Sequence, residues 1–394
     1  MTASPLTETL RIRAAAVLGD LALQSAAREQ ARELPHEWIR AIGHQNLLTW
    51  RIPQRYGGAG TSVREVIQWV IDVAAVDSNV AQALRPSYLL VEALLLAEDE
   101  GLRERWFPHF LSGGVFGNAG WEVGGANGSI SSRIVPDGEG FRVHGSKYYS
   151  TGALYADWIS AAALDDQGQI QRFIVPTDRQ GVVRKDDFDA MGQRLTASGT
   201  TDFAHVWVAR DELIPDALFA LAPTERSIVT PFAQLYLAAV EAGIARNALT
   251  DAVHFAQHHA RPIKHSTAQQ SVDDPYVAYT VGDIAAHAFS AQAVVLAAAD
   301  RIDAAWDLGL PQDAINHAAV DVAQAQYIAA QAALRAGEWL FDVASASATA
   351  RGHNLDRHWR NARTVANHNP RHWKAAAVGS FYLKGTPPPF SGLF

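Results

Sequence analysis

The chain has 394 residues, 48% hydrophobic and 19% charged, enough apolar material for a sizeable core, which excludes intrinsic disorder. Lys and Arg total 33 against 41 Asp and Glu; the net charge of −8 argues against nucleic acid as the main partner, because duplex binding needs a basic face. The absence of cysteine removes disulfides, thiol catalysis and sulfur-ligated zinc.

At roughly 150 residues per domain, the length predicts two to three domains. The opening MTASPLTETLRIR carries Glu8 and no apolar run, so it is not read as a secretory signal. Uninterrupted apolar runs such as 91–97 and 293–299 fall short of a bilayer's thickness. The expectation is a soluble, cytoplasmic protein that meets no membrane.

Residues 21–42 place apolar side chains at helical spacing until Pro35 interrupts them, and 61–75 and 88–97 repeat the pattern. Between them RIPQRYGGAG (51–60) predicts a turn. LSGG (111–114) closes the helical region. From about Phe116 to Ala209 the period shortens to two. Residues 129–136 and 141–149 flank DGEG, and 157–164 and 169–176 flank DDQG; each pair predicts a hairpin. TTDFAHVWV (200–208) adds a strand, which completes a small antiparallel barrel or sandwich. Beyond Pro223, alanine-rich periodic segments 230–260, 275–306 and 312–346 predict a bundle. The tail 385–394, with three consecutive prolines from Pro387, reads as an extended arm. The fold class is α+β: an N-terminal helical domain (1–114), a middle β domain (115–215) and a C-terminal bundle of four-helix type (216–394).

His254, His258, His259 and His265 cluster in sequence, but HExxH is absent, so solvated or capping histidines are expected and no metal site. Asp186-Asp187 and Asp273-Asp274 read as surface turns. GxSxG and Walker A motifs are absent. GGANGS (124–129) precedes a strand instead of opening a helix, so it is no Rossmann loop, although its N–H groups could nest a phosphate. DRHWRNARTVANHNP (356–370) concentrates Arg357, Arg360 and Arg363 with His358, His368 and Trp359. It reads either as a solvated basic face or as a site for an anion or polarised oxygen. His368, with the near-neutral pKa of its type, is the side chain suited to exchange a proton. KYYSTG (147–152) reads as strand, which puts Ser150 and Thr151 on opposite faces, so only one can meet a given ligand.

Together with this layout, LLTWRIPQRYGGAG (47–60), GFRVHGSKYYSTGALYADW (140–158) and FDAMGQRLTASGTTDFAHVWV (188–208) resemble the acyl-CoA dehydrogenase superfamily across essentially the whole chain. LDRHWRNARTVANHNP (355–370) and MGQRLTASGTT (191–201) resemble its branch of reduced-flavin-dependent monooxygenases that oxidise organosulfur compounds. His368-Asn369-Pro370 stands where dehydrogenases carry the carboxylate that abstracts a proton, which disfavours thioester dehydrogenation. Arg261-Pro262-Ile263 and Ser345-Ala346-Ser347 stand in for the segments that seat the adenine of FAD, which favours FMN.

The resemblance implies a two-component monooxygenase. It would take reduced FMN from a separate NAD(P)H:flavin reductase and, through a C4a-hydroperoxyflavin, oxygenate a small organosulfur substrate as a homotetramer. By resemblance Asn118, Gly120 and Trp121 touch the isoalloxazine, and Tyr149, Ser150 and Thr151 flank its N5 and C4a. Ser129 lies near the flavin phosphate, and Arg261 reaches the phosphate of a neighbouring subunit's flavin. Asn118 and either Ser150 or Thr151 would hydrogen-bond the reacting edge, and His368 would protonate or stabilise the leaving hydroxide. Val365 stands where relatives carry a second histidine. Tyr88 and Trp207 are candidates for the substrate pocket wall. The alternatives are an FAD-dependent acyl-CoA dehydrogenase or related oxidase, an amine N-hydroxylase on the same fold, and a flavin-free helical binding protein.

Overall fold

Side-chain caps start several of the N-terminal helices. Ser4 accepts from the backbone of Thr7 at the head of α1 (Pro5–Ala22), where Pro5 fits the first turn. α2 (Ser25–Ala31) and α3 (His36–His44) follow, separated around Pro35. Ser62 caps α4 (Val63–Ala74) and Asp77 caps α5 (Ser78–Ala83), which runs into α6 (Arg85–Leu95) and then α7 (Glu100–Leu111). The six residues of α5 are too few to carry a readable period, so it escapes the sequence pattern. The computed structural model describes residues 4–124, 129–219, 225–391 and 394. Residues 125–128 of the glycine-rich nest candidate lie outside the described residues.

The middle region forms one eight-stranded sheet: β1 (Phe116–Ala119), β2 (Arg133–Asp137), β3 (Gly140–Lys147), β4 (Trp158–Leu164), β5 (Ile170–Pro176), β6 (Val182–Arg184), β7 (Thr201–Ala209) and β8 (Leu213–Ile214). The order is β6-β7-β3-β2-β4-β5-β8, with β1 beside β4. Both expected hairpins form, Asp137 opposite Gly140 and Leu164 opposite Ile170. The purely antiparallel expectation needs correction, because β1 runs parallel to β4 with Asn118 opposite Ser160. β1 enters from α7 and leaves by a long connection, so no tight turn forces it antiparallel. The strand expected over 147–152 also ends early, at Lys147. Tyr149 is left-handed at φ 60° and starts a turn. Phe173, Phe203, Val143 and Ile159 fill the interior of this layer.

The C-terminal half is α8 (Val229–His258), α9 (Pro275–Asp307), α10 (Gln312–Ala344), α11 (Arg357–Ala366) and α12 (Arg371–Lys384). Ala238, Ala239, Ala242 and Ala245 of α8 and Ala329, Ala333 and Ala336 of α10 are fully buried, and their small side chains allow close helix approach. α9 is long and apolar enough, by length and composition, to cross a membrane, so judging by uninterrupted runs alone understated it. It packs into the bundle through Ile284, Ala288, Ala291, Val295, Ala299 and Ile302, and leaves Tyr276, Tyr279 and Phe289 exposed. The tail is not a free arm. Arg226 donates to the carbonyls of Pro388, Pro389 and Phe394 at 2.7–2.8 Å and folds it back.

Candidate functional site

The first turn of α6 anchors β1. Ser87 Oγ donates to the carbonyl of Phe116, whose N–H returns the bond, both at 3.0 Å. Two residues on, the Asn118 N–H donates to the carbonyl of Thr151 at 3.2 Å. Gly152 has φ +74°, and a Cβ there would stand 2.5 Å from the carbonyl of Ala83, so glycine lets the turn after β3 lie directly on the α5–α6 junction. The N–H of Tyr148 donates to the carbonyl of Trp121 at 2.8 Å. Behind this bridge, the buried Lys147 pairs with Glu122 at 2.6 Å. Glu122 also accepts from Ser131 and Ser132, and these bonds outweigh its burial and hold the carboxyl down at about 2. The ion pair ties the end of β3 to the segment that carries Trp121.

The left-handed Tyr149 turns its ring outward (53% exposed) and buries both Ser150 and Thr151. Their surroundings differ. Thr151 Oγ1 accepts from Ser198 Oγ at 3.1 Å, and Ser198 is bonded to Thr196 in turn. Ser150 Oγ has no protein partner, and neither has Asn118 Oδ1. Buried polar atoms are almost always hydrogen-bonded, so two such atoms on adjacent backbone segments mark a place for a polar ligand.

His368 follows α11, and its Nε2 stands 3.3 Å from Nη2 of Arg85, the first residue of α6. A guanidinium only donates, so Nε2 is the acceptor and the imidazole is neutral. Solvent reaches His368, yet burial first, and then the charge of Arg85, push its pKa down to about 3. This corrects the near-neutral value expected for His368, because at pH 7 the ring carries no charge to give away. Next to it, the buried Asn369 donates to Gln234 Oε1, which also accepts from Lys374 Nζ at 3.2 Å. Burial pushes the Lys374 ammonium down to about 7.

Other expected site residues lie elsewhere. Tyr88 is a core residue, not pocket wall: its hydroxyl donates to the carbonyl of Leu47 and accepts from Trp69, both at 2.7 Å, and its ring packs on Tyr236. Trp207 sits on β7 opposite Arg142, with the Arg179 guanidinium over its ring, and is 38% exposed. Ser129 and Arg261 are exposed, and no hydrogen bond or ion pair draws either toward Asn118. A Cβ at Gly120 would meet nothing within 4 Å, so local packing does not demand this glycine. Two of the three arginines of the basic segment are already matched by carboxylates, while Arg363 lines a cavity with Arg335, Arg371 and Trp359. Arg357 and His358 share Asp251 at 2.6 and 2.8 Å, and Arg360 binds Glu29 and Asp356. Asp186 is taken by Arg32, and Asp274 caps α9.

Arg85 is the residue that sequence reasoning missed. One signal existed: it is the only Lys or Arg from residue 65 to 102, set in an otherwise apolar run.

The acyl-CoA dehydrogenase N-terminal domain matches residues 7–114, and the C-terminal domain of the same enzymes matches 235–372. Dibenzothiophene monooxygenase of Rhodococcus erythropolis is 32% identical over 98% of this chain and 99% of its own. The chain belongs to the acyl-CoA dehydrogenase superfamily, in its branch of flavin-dependent monooxygenases. A probable FMNH2-dependent monooxygenase, SfnC of Pseudomonas putida, is 28% identical to this monooxygenase over 94% of the chain and 93% of its own length. Among solved structures, FMN-bound TdsC from Paenibacillus sp. A11-2 superposes with a TM-score of 0.91 at 27% identity, covering 98% of this chain and all of that one. Methanesulfinate monooxygenase MsuC from Pseudomonas fluorescens gives 0.88 at 28% identity, with both chains fully covered.

Proposed function

We propose that this monooxygenase takes reduced FMN from a separate NAD(P)H:flavin reductase and uses O2 to oxygenate a small organosulfur compound in the cytoplasm. The observation that carries this reading is the pair of unpartnered buried atoms, Asn118 Oδ1 and Ser150 Oγ, on adjoining segments. An amide oxygen suits a ring N–H, and a hydroxyl both donates and accepts, so the two fit the polar edge of an isoalloxazine. FMN-bound TdsC supports FMN in preference to FAD. Bound reduced FMN supplies the electrons that activate O2. The chain's own work is to hold the ring with Asn118 and Ser150 and to shelter it from water with the open rings of Trp121 and Tyr149. His368 accepts at Nε2 from Arg85 and also bonds Asn369, so its role would be a neutral polar group fixed at the edge of the site and not an imidazolium acid.

The exposed Tyr276, Tyr279 and Phe289 on α9 give the protein an apolar face suited to a homotetramer. Arg261, free of ion pairs after α8, would reach a neighbouring subunit's flavin phosphate. Anaerobic titration with reduced FMN, then turnover with a flavin reductase on thiophenes, sulfones, sulfinates and amines, tests the reading. Binding of reduced FMN and an oxygenated product are expected. Tightly held FAD that a CoA thioester reduces, or no affinity for either flavin, overturns it.

A further inference from the structure

A guanidinium taken out of water costs several kcal/mol unless charge or hydrogen bonds replace the lost hydration. Among the described residues four arginines are buried, and three have that replacement. Arg28 has Asp77 at 3.1 Å, Arg357 has Asp251 at 2.6 Å, and Arg226 has three tail carbonyls. Arg85, 9% exposed, has only the neutral ring of His368 at 3.3 Å, and its Nε is without a partner. No carboxylate of the described residues forms an ion pair with it. Glu92, on the same helix, is taken by Arg51 at 2.7 Å. Burial raises the pKa of the Glu241 carboxyl, on the facing α8, and of the Tyr236 hydroxyl beside Arg85 well above their usual ranges, which disfavours a negative charge on either. The next charge behind His368 is Lys374, of the same sign.

We infer that Arg85 is the anchor for an anionic head group, so that the substrate is a small organic oxyanion carrying a sulfinate or carboxylate. The guanidinium offers several N–H donors in one plane, a geometry that matches two oxygens on one carbon or sulfur, and its Nε–H is still unspent. The placement is productive because the turn of α6 that carries Arg85 also carries Ser87, which pins β1 and Asn118. An anion held there would lie beside the flavin edge proposed above, on which this inference rests. A neutral thiophene would leave the buried charge unanswered.

The test measures binding by calorimetry, with and without FMN, of methanesulfinate, (methylthio)acetate and neutral dimethyl sulfone. The wild type should bind at least one of the two anions ten or more times tighter than the sulfone, and whichever anion is preferred identifies the head group. Arg85→Gln should lose about a hundredfold of that affinity, with reduced-FMN binding unchanged. Equal wild-type affinity for the sulfone and both anions overturns the inference. So does an Arg85→Gln protein whose FMN affinity falls with its anion affinity, since Arg85 would then be a flavin ligand. Should that variant not fold, the wild-type selectivity and Arg85→Lys decide alone. Failure of the flavin reading itself shows separately, as absent FMN binding in the wild type.

Discussion

Ser150 and Thr151 are adjacent and both buried, but they should answer differently to the loss of a hydroxyl. Ser150→Ala removes an atom that no protein group uses, so thermal stability should hold while reduced-FMN affinity drops about tenfold, read by anaerobic titration. Thr151→Ala strips a partner from the buried Ser198 and should cost about 1–3 kcal/mol in urea unfolding. Glu241 supplies a pH prediction. Both its carboxyl oxygens are buried without a partner, and burial raises its pKa well above the usual range. The folded state therefore holds a proton that the unfolded chain releases, so stability is full below the unfolded value and falls as pH rises above about 4.5. Glu241→Gln should flatten that fall, with the difference growing toward alkaline pH. Residue resemblance nominated Asn118 and Ser150, since they lie in short contiguous motifs. Arg85 and Glu241 were not, because a charge in an apolar run reveals nothing of its partners until the helices pack.

At the scale of elements, α11 shows how a conspicuous motif can serve the scaffold. Arg357 and His358 grip Asp251 of α8, while Arg360 grips Glu29 of α2. Burial is the largest influence on His358 and keeps its pKa low, so Arg357 carries the charge and the imidazole donates its N–H to Asp251. Those two partners hold the Asp251 carboxyl well below the usual carboxylate range despite its burial. A depressed folded pKa gives stability that is present above the unfolded value and lost as pH falls. Asp251→Ala should cost about 3 kcal/mol near pH 7 by leaving Arg357 buried and uncompensated, and that deficit should shrink toward acid, as chemical denaturation at several pH values would show. The hairpins were readable because a period of two flanks a glycine turn. β1's parallel pairing was not readable, since register between distant segments is set by what else packs on them.

At the scale of the whole molecule, α9 presents Tyr276, Tyr279 and Phe289 to solvent on a helix whose other face is core. Apolar exposure of this size on one helix suits a subunit interface. Tyr279→Asp with Phe289→Asp should reduce the sedimentation coefficient to that of a smaller species without loss of helicity. Wild-type protein that sediments as a monomer would remove the tetramer. The sequence by itself determined the α–β–α layout and nominated the segments proposed to contact the flavin, because helix and strand periods and short contiguous motifs are properties of neighbouring residues. Only the tertiary structure decided that Ser150 and not Thr151 is unengaged, that Arg357 and Arg360 of α11 are spent on carboxylates, and that His368 is neutral beside Arg85. Those outcomes depend on burial and on partners as much as 331 residues away in the chain, and a buried charge takes its meaning from what is packed against it.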